Sequence, residues 1–208
     1  MQSTLALPLS LLLLAAAPLT GNQMLAQAGS ATGLSSYSVP VHFDVHMHRP
    51  IGMSTKVEGI VYFKAPAEGA LVITQIPSAI GKLFKGSYKL DLSPQTWPAK
   101  YNVTSVSETQ ADGTAAYALR SVPKADPSVD HVVFTVTKDD YTPLSVVWSY
   151  RDGSSISVSM HCKRVSANAL PQSASITVDM PQVGLDAKAQ YGGYALDAPI
   201  PDSVFEKH

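Results

Sequence analysis

Cysteine is nearly absent from this 208-residue chain: Cys162 stands alone, which excludes an internal disulfide framework and any cysteine-rich zinc site. Charge is also scarce, at 15% of residues, and it is balanced to a net −1. The basic footprint that a nucleic-acid partner needs is therefore missing. No Asp, Glu, Lys or Arg occurs before Asp44, so all the fixed charge lies in the later part of the chain. No apolar run is long enough to span a bilayer as a helix, because Leu5–Ala17 is interrupted by Pro8 and followed by Pro18. Also missing are G-x-G-x-x-G, P-loop, H-E-x-x-H and EF-hand patterns, and no serine sits in a G-x-S-x-G elbow.

What the amino terminus does contain is the apolar run Leu5–Ala17, small residues after it, and Ala26-Gln27-Ala28, the A-x-A pattern of a signal peptidase site. Residues 1–28 accordingly read as a secretory signal peptide, although Met1–Thr4 carries no positive charge. Residues 29–38 (GSATGLSSYS) read as a flexible Gly/Ser-rich leader, and residues 39–208 as one domain. That reading predicts a periplasmic or secreted protein with no stable transmembrane segment after cleavage; the other reading of the same stretch is an uncleaved anchor.

From Val39 onward the dominant period is two. Val39, Val41, Phe43, Val45 and Met47 alternate with Pro40, His42, Asp44, His46 and His48, which predicts a half-buried strand. The same alternation returns around Leu144–Tyr150, Ile156–Cys162 and Ala174–Met180. Weaker strands are expected at Val57–Lys64, Ala70–Ile76, Tyr101–Val106, Ala115–Val122, His131–Lys138 and Leu185–Tyr191. Asp112-Gly113 and Asp152-Gly153 are hairpin turns between such patterns, and connections this short imply antiparallel neighbours. Only Ser78–Gly86 has helical spacing, with Ile80, Leu83 and Phe84 on one side. The fold class is mainly β, an antiparallel sheet of roughly ten strands with one apolar face to cover.

Three chemistries can be weighed on these residues. His42, Asp44, His46 and His48 share one strand face, and side chains two apart lie roughly 7 Å from each other, so zinc or copper ligation is one reading and a wet strand face is the other. Cys162 shares the apolar face with Val158 and Met160, as a buried inert thiol would. Carboxylate pairs such as Asp139-Asp140 fall in turns. No convergent polar constellation suggests an enzyme, and no cofactor is implied. The apolar face remains: it can be a sealed core, or a concave surface that takes an acyl chain.

Three segments resemble the periplasmic lipoprotein-localisation carrier (LolA-like) superfamily. Gly59-Ile60-Val61-Tyr62-Phe63-Lys64-Ala65-Pro66 is similar to its G-x-x-Y-F-K-x-P strand, and Ala70–Ile76 and Ser78–Phe84 stand where that family has a strand and a lid helix. Pro143–Gly153 resembles its strand and hairpin turn, and Tyr194–Phe205 its closing x-x-P-x-x-x-x-F. The resemblance implies a strongly curved antiparallel sheet, an open half-barrel, with a short helical lid over its concave apolar face. It further implies a carrier or sensor of lipid or acylated lipoprotein, handled with inner- and outer-membrane transport proteins and without chemistry. The expected lipid-binding residues are Phe43, Val45, Met47, Val61, Phe63, Leu83, Phe84 and Phe134, together with Val146, Trp148, Tyr150, Val158, Met160, Ile176 and Val178. The family opens with a long amphipathic helix, a pattern that Gly29–Ser38 does not show, and Arg49, in a turn before Pro50, does not match the family's lid-latching arginine.

Overall fold

The computed structural model describes residues 18–29, 34–65, 68–76, 94–165 and 168–205. Eleven strands form a single antiparallel sheet. They are β1 (Ser36–Arg49), β2 (Met53–Lys64), β3 (Glu68–Gln75), β4 (Tyr101–Ala111), β5 (Thr114–Pro123) and β6 (Val129–Thr137), then β7 (Pro143–Tyr150), β8 (Ser155–Val165), β9 (Asn168–Asp179), β10 (Gly184–Tyr191) and the two-residue β11 (Ala195–Leu196). The order across the sheet is β3-β2-β1-β10-β9-β8-β7-β6-β5-β4, with β11 on β1. Every neighbour in that path except β1–β10 is joined by a local hairpin. β3 and β4 do not pair with each other, so the sheet stays open.

The alternation read from the sequence is the burial pattern of the strands. Along β1, Val39, Val41, Phe43, Val45 and Met47 are buried, while His42, Asp44, His46 and His48 are exposed. The cross-strand register then stacks like with like: Phe43 opposes Val57 and Ala189, and Asp44 opposes Lys56 and Lys188. A shift of one residue would carry the whole apolar set to water, so the pattern itself fixes the pairing. The β4–β5 turn is equally local, because Asp112 (φ 49°) and Gly113 (φ 78°) both occupy the left-handed region that a tight two-residue hairpin demands.

Helix is sparse, and part of it lies where the sequence reading does not expect it. α1 (Gly21–Gly29) spans the end of the stretch read as the signal peptide and the first residue of the expected leader, and it buries Met24, Leu25 and Ala28. Its neighbours are β4, the 3-10 turn Pro94–Thr96 and the single helical turn α2 (Trp97–Lys100). β1 starts at Ser36, three residues inside the expected leader, with Leu34 already buried beside it. The lid candidate Ser78–Gly86 lies outside the described residues. No described helix is long and apolar enough to cross a membrane.

Candidate functional site

The apolar face of the sheet is one continuous surface. Phe43, Val45 and Met47 of β1, Val61 and Phe63 of β2, Phe134 of β6, Val146 and Trp148 of β7, Val158 and Met160 of β8 and Ile176 of β9 are all buried in the same cluster. Tyr150 and Val178 pack at its margin, half-buried. Leu83 and Phe84 lie outside the described residues. The tertiary structure adds members whose local pattern is silent or contrary, among them Trp97 and Leu119, both fully buried, Leu25 at 1% exposure and Leu170 at 1%. Trp97 follows a Pro-Gln-Thr turn and precedes Pro98, so no periodicity marks it. Its size and the helix-initiating Pro98 are the only signals the sequence offers there.

Aromatic side chains concentrate toward the two ends of the strand order. On the β6–β7 side, Trp97 lies with its ring centroid 4.5 Å from that of Phe134, and Tyr101 meets Phe134 edge-on at 5.2 Å. Trp148 donates its Nε1–H to the Tyr101 hydroxyl at 2.9 Å, so the polar tip of each ring is satisfied inside the core. On the β1–β2 side, Tyr37 stacks on Phe63 at 5.2 Å and meets Tyr194 edge-on at 5.5 Å. Tyr194 donates its hydroxyl to the Pro171 carbonyl at 2.6 Å. Burial raises the Tyr191 and Tyr194 hydroxyls above the ordinary phenol range, with neighbouring Tyr37 adding to the effect. These groups stay neutral and contribute surface rather than charge.

The outer face carries the polar partners of the same strands, and there the histidines are engaged singly. His42 Nδ1 lies 3.5 Å from Glu58 Oε1, His46 Nδ1 is 2.9 Å from Ser54 Oγ, and His48 Nε2 is 3.6 Å from Asp186 Oδ2. The His46 and His48 rings meet edge-on at 5.5 Å, as strand spacing dictates. Among the described residues no three His, Cys, Asp or Glu side chains are placed to share a metal ion. A shallow groove of about 400 Å³ crosses this face, lined by Asp44, His46, Lys56, Asp186 and Lys188, and its charges alternate in sign. Arg49 ends β1 as an anchor for the β9–β10 turn, bound to Asp179 and, at 3.1 Å, to the Met180 carbonyl.

Cys162 faces the margin of the apolar cluster with Sγ 3.6 Å from the Pro143 carbonyl. Burial pushes its thiol up to about 12, and the Asp140 carboxylate adds to that. Only the thiolate reacts, so at pH 8 the native protein holds roughly a thousandfold less of it than a free cysteine, and the greater nucleophilicity of a high-pKa thiol recovers about one and a half decades of rate. Native protein should therefore react with Ellman's reagent tens of times more slowly than protein unfolded in urea, and comparable rates would mean that the thiol is open. Asp140 itself accepts hydrogen bonds from Thr137 Oγ1 (2.6 Å) and the Thr142 amide (3.1 Å), which makes it a turn residue.

This architecture recurs in solved structures. A LolA superfamily protein from Nitrosomonas europaea superposes with a TM-score of 0.67 at 13% identity, covering 91% of this chain and 99% of that one. An outer-membrane lipoprotein-sorting domain from Vibrio parahaemolyticus gives 0.65 at 11% identity, over 88% and 94%. A DUF1329 family protein from Desulfovibrio piger gives 0.63 at 13% identity, over 89% and 95%. No protein-family model matches the chain, and no curated protein matches its sequence. The shared property is the fold.

Proposed function

We propose that this chain, which has the LolA-like fold, serves in the bacterial envelope as a carrier or sensor that holds lipid or lipoprotein acyl chains on the apolar face of its open sheet. One observation carries the reading. Among the described residues, a sheet of eleven strands buries a continuous apolar face without closing on itself and without a second sheet, and its cover there is α1 and the Pro94–Lys100 segment. An ordinary sandwich core is sealed by strands hydrogen-bonded into a second sheet. A cover of short helices, each held by a few apolar side chains, is displaced far more cheaply.

The apolar face is suited to chains rather than to head groups. Its lining is aliphatic and aromatic, and its polar atoms, Trp148 Nε1 with Tyr101 and the Tyr194 hydroxyl, are already satisfied. Binding would take its free energy from apolar burial, about 25 cal/mol per Å², which is tolerant of chain identity. Such an activity involves no bond-making, and exchange would occur with membrane-bound donors and acceptors.

The test is native mass spectrometry with lipid extraction, on protein exported through its own amino terminus and purified from periplasm. Near-stoichiometric co-purifying lipid is the expected result, and its identity separates lipoprotein traffic from other lipids. A clean apo mass, combined with failure to take up a fluorescent fatty acid, would mean that the face is a sealed core.

A further inference from the structure

We infer that α1 belongs to the mature protein: any processing of the amino terminus leaves the chain starting at or before Thr20, and Ala26-Gln27-Ala28 is a stretch of structural helix rather than the site of cleavage. Three independent features of the described structure support this, and none depends on what the apolar face binds.

The first is the helix start. Thr20 and Gln23 form a reciprocal capping box: the Gln23 amide donates to Thr20 Oγ1 at 3.3 Å, and the Thr20 amide donates to Gln23 Oε1 at 2.8 Å. This arrangement satisfies amide donors that the first turn of a helix would otherwise leave unpaired. The second is burial. Leu25 is 1% exposed and Met24 6%, both within the main apolar cluster, while the residues before and after them, Gln23, Ala26 and Gln27, face water.

The third is the fit of the two helix ends against their neighbours. A side chain at Gly21 would collide with Val103 of β4, and a Cβ at Gly29 would lie 2.8 Å from the Pro94 carbonyl. Next to Gly21, Asn22 Oδ1 accepts a hydrogen bond from the Val103 amide at 2.8 Å, so α1 also blocks part of an open sheet edge. An unpaired strand edge is an aggregation template, and covering it is a recognised protective device.

Signal cleavage acts on an unfolded chain, so burial would not by itself prevent a cut after Ala28. What matters is the consequence for the folded domain. A chain starting at Gly29 would lose Met24 and Leu25 from the core, expose the surface beneath them, and free the Val103 edge amide.

The experiment is an intact-mass measurement on the full chain, exported through its own amino terminus and purified as folded protein from the periplasm, in wild-type and Leu25→Ala forms. A start at or before Thr20 is expected. The Leu25→Ala protein should carry the corresponding mass difference and melt roughly 5–15 °C lower, the shift expected for truncating a buried leucine in a domain of this size. A folded mature chain starting at Gly29 overturns the inference, as does a Leu25→Ala protein whose mature mass and melting temperature equal the wild type, since both mean that α1 is discarded.

Discussion

Replacing Phe134 by alanine should lower the unfolding free energy by about 3–5 kcal/mol and the melting temperature by roughly 6–20 °C. The ring is fully buried on β6, and it is the common partner of Trp97 and Tyr101. Its removal opens a cavity beneath α2 and takes away the surface on which Trp97 rests. Tyr101 loses its edge-on partner at the same time, and with it some of the order that holds its hydroxyl under Trp148 Nε1. Urea denaturation followed by tryptophan fluorescence would measure the effect, because both tryptophans of the chain sit in this cluster. Val106→Ala is the control: Val106 is 40% exposed on β4 and should cost less than about 1 kcal/mol. A loss below about 1 kcal/mol for Phe134→Ala would mean that the helical cover is not anchored on the sheet through this ring.

The second large effect is on affinity. If the apolar face takes acyl chains, the dissociation constant of single-chain lipids should fall roughly tenfold for every two methylenes added, at about 0.8 kcal/mol per buried CH₂. Across a series from ten to sixteen carbons this amounts to roughly three decades. Binding must shift part of the cover formed by α1 and Trp97, and that cost is common to every member of the series, so it weakens all affinities without changing the slope. Exchanging a carboxylate head group for an uncharged one should matter little, since no set of free polar side chains converges on this face among the described residues. Quenching or a shift of the buried Trp97 and Trp148 emission gives the readout. Affinity that follows the head group and ignores chain length would sink the lipid-chain reading.

Much of the architecture is legible in the sequence because strands report themselves locally. Residues of opposite character at successive positions point to opposite faces, so Phe43-Asp44-Val45-His46 declares both a strand and its orientation before any partner is known. Tight turns such as Asp112-Gly113 then supply the antiparallel order. The order and spacing of the Gly59–Pro66, Pro143–Gly153 and Tyr194–Phe205 segments point to the fold that the structure displays. Eleven of the fifteen residues expected on the apolar face are buried on it, Tyr150 and Val178 are half-buried at its edge, and Leu83 and Phe84 lie outside the described residues.

The sequence is weakest at the amino terminus and at the cover. Leu5–Ala17 followed by Ala26-Gln27-Ala28 reads as an export signal and its cut, and that pattern masks the Thr20–Gln23 capping box, which becomes visible as a helix start only when Met24 and Leu25 have something to pack against. Nine residues are too few to hold a helix in water, so tertiary contact decides whether α1 exists. The same holds for Trp97, placed by Phe134 across a sequence separation that no local pattern spans. The histidine strand shows the converse. Its spacing puts His42, His46 and His48 on one face as expected, but Glu58, Ser54 and Asp186, supplied by β2 and β10, engage them one at a time. What the sequence alone determined was every property set by neighbours along the chain: strand identity, face and hairpin order. What the tertiary structure decided was every property set by neighbours across it: which helix covers the sheet, where the sheet stops, and which polar groups are already taken. The division follows from range, since backbone alternation and turn geometry act over a few residues, while burial is settled only when distant segments meet.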